Sequence, residues 1–132
     1  MSAVPSLPPA DDASIGLELP TITDEFMKAR LSTIDTYTVA ILRKGPNYRR
    51  PDVDPVIWEH GRRNMALGQA GLLPIVCPSA DETDFAGVGI LTVPVARATE
   101  ILGEDPAIKR GVLTVELHQI RGFPGAGLPA GN

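Results

Sequence analysis

The chain has 132 residues, 43% of them hydrophobic and 21% charged, the usage of an ordinary globular domain rather than of a disordered chain. Twelve Lys and Arg against 16 Asp and Glu leave a net charge of -4, without the basic surplus that binding to nucleic-acid phosphates needs. A single cysteine, Cys77, excludes an internal disulfide framework and any site built from several cysteines.

No apolar run reaches the ~18–20 residues of a membrane span. The first twenty residues have neither the basic start nor the apolar centre of a signal peptide. A cytoplasmic protein that engages neither nucleic acid nor membrane is the expectation. Residues 1–20 carry Pro5, Pro8, Pro9 and Pro20 with Asp11, Asp12 and Glu18 and no apolar period, which predicts an arm unable to pack. Thr23 is placed to cap a short helix, with Asp24 and Glu25 at its positive end and Lys28 and Arg30 at its negative end. That helix is expected to rest on the main domain or on a partner subunit. The predicted organisation is an arm with a short helix at 1–34, a domain at 35–121 and a tail at 122–132.

Within the domain, Thr36–Arg43 alternates Tyr37, Val39 and Ile41 with Thr36, Thr38 and Ala40, the period of a strand. Lys44–Val53 is a loop by its Gly and Pro content. Asp54 with Pro55 after it predicts the start of a helix running to about Ala70, where Gly71 stops it. Leu72–Pro78 and Gly87–Val93 are predicted strands joined by an acidic turn. Pro94–Leu102 is a second helix, Asp105–Arg110 a brief helical turn capped by Asp105, and Val112–Ile120 a fourth strand. The order β-α-β-β-α-β is that of a ferredoxin-like α+β fold, a four-stranded antiparallel sheet with both helices on one face. Both faces of its strands are largely apolar, and two helices cover only one. The other face therefore calls for a partner, and two sheets packed face to face would make a homodimer, a dimeric α+β barrel.

Two histidines carry the candidate chemistry. On the first domain helix, Ile57, His60, Gly61, Asn64, Leu67 and Gly68 fall at spacings of three and four, so His60 and Asn64 turn toward the sheet or a cleft beside it. Two readings of His60 stand side by side: a buried imidazole bonded to a backbone carbonyl, or a general base in a pocket. Asp105 is accounted for as a cap, and it would also orient the imidazole if the fold brought the two together. Glu116 and His118, two apart on the last strand, share a face that would line the barrel interior. They are either a solvated edge or a satisfied pair at a dimer interface or, with Asn64 on the helix, candidate substrate-binding groups. Cys77 is expected to be a small buried hydrophobe. No HExxH, CxxC, GxGxxG or GxSxG occurs, and two separated histidines specify no metal site. No cofactor is expected.

The run Trp58-Glu-His-Gly-Arg-Arg-Asn64, followed by Ala70-Gly-Leu-Leu73, a Gly-rich third strand, Glu104-Asp-Pro-Ala107 and Gly111, resembles the YCII-related (YciI-like) family over about residues 36–121. The resemblance implies a dimeric α+β barrel and marks His60 and Asp105 as the active-site pair. One member of that family eliminates HCl from a chlorinated hydroxyhydroquinone. The sequence departs from the shorter members in its arm, in the loop Lys44–Val53, in the tail after Arg121, and in Ile75-Val-Cys-Pro78, where many relatives place Gly-Pro. The functional expectation is a small cofactor-independent lyase or isomerase acting on a small cyclic or aromatic metabolite. The alternative is a non-catalytic module for small-molecule binding or assembly.

Overall fold

The computed structural model describes residues 5–7 and 16–130. Residues 1–4 and 8–15 of the expected arm lie outside the described residues. The chain divides into one unit ending at Ser32 and a second beginning at Thr33.

The first unit holds α1 (Asp24–Leu31), none of whose residues is buried. As the sequence predicts, Thr23 caps it, its Oγ1 accepting from the Phe26 N–H at 3.1 Å.

The second unit contains β1 (Asp35–Lys44), α2 (Asp54–Gln69), β2 (Ile75–Pro78), β3 (Phe85–Leu91), α3 (Val95–Gly103), α4 (Pro106–Lys109) and β4 (Leu113–Gly122). The four strands form one antiparallel sheet in the order β2-β3-β1-β4. This is an α+β fold with the strand order that the split β-α-β pattern dictates.

Alternation sorts the two faces of the sheet. Thr38 and Ala40 of β1, Gly89 and Leu91 of β3 and Leu113 of β4 are buried on the side where Leu73, Ala98, Ile101 and Leu102 complete the core. The buried Thr38 hydroxyl is satisfied by donating to the Val93 carbonyl at 2.7 Å. On the opposite side Tyr37, Val39, Ile41, Ile75, Val88, Ile90 and Ile120 are all only half-buried.

Several predicted boundaries move. Val53, not Asp54, is the cap of α2, because the Ile57 N–H already bonds the Val53 carbonyl and Asp54 lies inside the first turn. β2 begins at Ile75 rather than Leu72. The amides of Leu72 and Leu73 both turn back to the Leu67 carbonyl and finish α2, with Gly71 at φ +76° making that reversal. β3 starts two residues earlier than expected, since Phe85 pairs with Arg43 across an irregularity in the ladder, and β4 runs on to Gly122, which pairs with Asp35. Cys77 is not fully buried: it sits on an edge strand opposite Val88, on the half-exposed face. No helix among the described residues is long and apolar enough to cross a membrane.

Candidate functional site

His60 lies in the second turn of α2, and Asp105 stands at the junction of α3 and α4. The fold brings them together across 45 residues of sequence: His60 Nδ1 is 2.7 Å from Asp105 Oδ2. The partner of His60 is thus a carboxylate and not a backbone carbonyl. The Asp105 side chain is 1% exposed and that of His60 is 16% exposed, so the pair is shielded from bulk water.

Both oxygens of Asp105 are engaged. Oδ1 accepts from the Ala107 N–H at 2.8 Å, the cap of α4, while Oδ2 faces the imidazole. Burial pushes the Asp105 carboxyl up, but the hydrogen bond and charge of His60, the Ala107 amide and the positive charge of Arg63 outweigh it. The net effect holds its pKa below the ordinary carboxylate value. An ionised carboxylate only accepts, so the proton on Nδ1 of His60 is the one donated to it. The Nε2 lone pair then remains, and Asn64 Nδ2 donates to it at 3.2 Å from one helical turn further along α2.

The three residues line a cavity of about 670 Å³ between α2 and the sheet, together with apolar groups that include Leu42, Ile57, Leu73, Phe85 and Val115. A Cβ on Gly61 would meet nothing within 4 Å, so that position leaves open space beside the histidine. A Cβ on Gly68 would stand 3.3 Å from the Leu73 carbonyl oxygen, where α2 comes close to the segment leading into β2. The stripe of Ile57, His60, Gly61, Asn64 and Gly68 does face the cavity.

Glu116 and His118 are not brought to this site. On β4 they alternate with Leu113, Val115 and Leu117, so their side chains leave the sheet on the side away from the helices. There His118 Nε2 bonds Glu116 Oε2, and Arg43 Nη1 donates to Glu116 Oε1 at 3.0 Å. His118 and Glu116 are 56% and 47% exposed. Strand alternation thus puts them on the face expected to line a barrel interior, and they do not line the same pocket as His60.

Three residues that the sequence reading left unassigned also belong to the neighbourhood. Arg63, one turn from His60, supports the ionised Asp105 electrostatically, and its Nη1 is buried without a hydrogen-bond partner. The signal available was its i+3 spacing from His60. Lys44, the last residue of β1, and Tyr48, in the loop after it, line the cavity. Lys44 continues the alternation of Thr38, Ala40 and Leu42, whereas no periodic pattern marks a loop residue such as Tyr48 as facing inward. Among the described residues no group of three or more His, Cys, Asp and Glu is arranged to hold a metal ion.

No protein-family model and no curated protein matches the chain. Among solved structures, the chain is similar to one described as the crystal structure of methylated RPA0582 protein. They share 15% identity over 80% of this chain and 96% of that one, with a TM-score of 0.34.

Proposed function

We propose that the chain is a YCII-related protein acting as a cofactor-independent lyase or isomerase on a small cyclic or aromatic metabolite. The observation that carries this reading is the buried Asp105–His60 pair with the far nitrogen of the imidazole at the wall of an apolar cavity. In this reading Nε2 of His60 takes a proton from a carbon or hydroxyl of the substrate, and the imidazolium so formed is held by the carboxylate already bonded to Nδ1. Before substrate binds, the Asn64 NH₂ donates to the neutral Nε2. The substrate displaces that bond when it delivers its proton to the Nε2 lone pair, and the Asn64 oxygen, with the amide turned over, is then placed to accept from the protonated nitrogen. In elimination the electrons of the broken C–H bond form the new double bond, and the leaving group departs with its own bonding pair. In isomerisation Nε2 returns the proton to a different carbon.

The same reading includes a homodimer in which the half-buried sheet face of each copy, with Val39, Ile41, Val88 and Ile90, is covered by the other. A light-scattering mass of twice the 14.0 kDa chain at micromolar concentration is the expected result, and a mass of one chain refutes the dimer. For the chemistry, the purified protein is incubated without added cofactor against a panel of hydroxy-aromatic and halogenated hydroxy-aromatic compounds. Turnover with at least one, accompanied by a shift of the His60 imidazole resonance, is expected. Ligands that bind without turnover and leave that resonance unmoved would instead favour a non-catalytic binding module.

A further inference from the structure

The cavity beside His60 has a second polar corner. Lys44, at the end of β1, and Tyr48, in the loop that follows, both line it and both are half-buried. The Lys44 ammonium lies 5.2 Å from the centroid of the Tyr48 ring, within cation–π range. Apart from that ring contact, it makes no hydrogen bond or ion pair with any described residue. Among the residues around the cavity it is the sole Lys or Arg. Asp81, also on the cavity wall, is influenced by the Lys44 charge, but its Oδ1 is already engaged by Ser79 and by the amide and hydroxyl of Thr83.

The position of this corner is fixed by the same element that carries Asp105. The amides of Gly45 and Asn47 donate to the carbonyls of Val112 and Gly111 at 2.8 and 2.9 Å, and Asn47 Nδ2 donates to the Arg110 carbonyl at 2.8 Å. Those three carbonyls close the turn that ends α4, whose cap is Asp105. A side chain at Gly45 would run into the Gly111 carbonyl, so this close approach depends on glycine. The lysine and the imidazole therefore hang on one frame and look into one cavity. Lys44 as a residue is half-buried, and an ammonium beside a cavity forms a charge-assisted hydrogen bond with an anion that enters it.

The geometry points to Lys44 as the anion-binding group of this cavity, so that the compound taken there is a small cyclic carboxylate with its ring against the apolar wall and its carboxylate on Lys44. Tyr48 is the positioning residue that keeps the ammonium in place. This inference rests on the reading of the cavity as a substrate site and adds the charge of the substrate to it.

The test is an amide-resonance titration of the full chain with benzoate and with its neutral isostere benzamide. Wild type is expected to bind benzoate about tenfold or more tightly than benzamide, as a hydrogen bond to a charged group implies, with shifts at Lys44, Tyr48 and Asp105–Ile108. The preference is expected to fall at high salt. Lys44→Met, which keeps the apolar stem, should abolish it, and Lys44→Arg should retain most of it. His60→Asn should leave it intact, so that a failed base and a failed anion site give different results. Equal affinity for the two probes, a preference that survives Lys44→Met, or probes that move no cavity resonance would each overturn the assignment.

Discussion

The molecule holds two histidine–carboxylate pairs, and they have opposite surroundings. His60 and Asp105 come from separate elements, meet under α2 and leave the carboxylate 1% exposed. His118 and Glu116 are two residues apart on one strand, stand on the open face of the sheet and share Glu116 with Arg43. The hydrogen bond from His118, followed by that from Arg43, holds Glu116 below its usual pKa, whereas Asp105 reaches the same direction of shift against the pull of burial. A histidine in contact with a carboxylate is thus not yet a site. What sets the first pair apart is that its carboxylate is fixed from behind by the Ala107 amide while its imidazole borders a cavity. The second pair stands half-exposed among its strand neighbours and does not border that cavity.

The largest expected effect sharpens that contrast. His60→Asn keeps a polar group near the same place and removes the titratable nitrogen. It should lower kcat by the ~10²–10⁴-fold associated with a lost general acid–base group. His118→Asn, assayed at a protein concentration high enough to favour the proposed dimer, should leave kcat unchanged. Measuring the two variants side by side on one substrate decides the matter, and comparable losses would remove the distinction between the pairs.

The sequence carries much of this arrangement but not all of it. The elements and the strand order follow from period-2 and period-3.6 patterns, and His60, Gly61 and Asn64 share a helical stripe that does face the cavity. Asp105 was recognisable as a cap because Pro106 follows it, and the cap is present. Its contact with His60 depends on where the α3–α4 junction lies against α2, which no local pattern states. Glu116 and His118 stand on the face away from the helices, the one expected to line a barrel interior. Sharing that face does not bring them to the cavity beside His60, which lies on the other side of the sheet. Lys44 ends β1 and Tyr48 falls in the loop after it, and the path of that loop is set by hydrogen bonds to Arg110, Gly111 and Val112 from far along the chain.

Asp105→Asn comes next in size, because that carboxylate has two tasks. It should reduce kcat by less than His60→Asn does, through a misoriented imidazole. It should also destabilise the fold by about 1–3 kcal/mol, the usual range for leaving a buried partner imperfectly bonded. Urea unfolding at neutral pH measures the second effect, and an unchanged midpoint would show that the α4 cap and the His60 contact contribute little. The pH dependence follows from the direction of the shift. The folded Asp105 carboxyl titrates below its unfolded value near 3.9. Its contribution is therefore present in full above about pH 5 and is lost as pH falls through the lowered folded value. The stability gap between wild type and Asp105→Asn should narrow as pH falls below about 4. A gap that widened in acid would reverse the sign.

Glu116→Gln should have the smallest effect on catalysis and the most distinct readout. The side chain stands on the face assigned to the second copy, away from α2 and from the cavity, so kcat at saturating protein should be unchanged. Gln keeps an acceptor oxygen but removes the negative charge shared by Arg43 and His118, and two positively chargeable groups facing the proposed second copy without a counter-charge disfavour association. The expected result is a raised dimer dissociation constant, seen by sedimentation over a dilution series. The shift should be reduced in high salt, where charges at a solvent-reachable rim are screened. A fall in kcat while the dimer stays intact would tie Glu116 to the reaction and undo the separation of the two pairs. Unchanged association at every salt concentration would place the contact between copies elsewhere than on this face of the sheet.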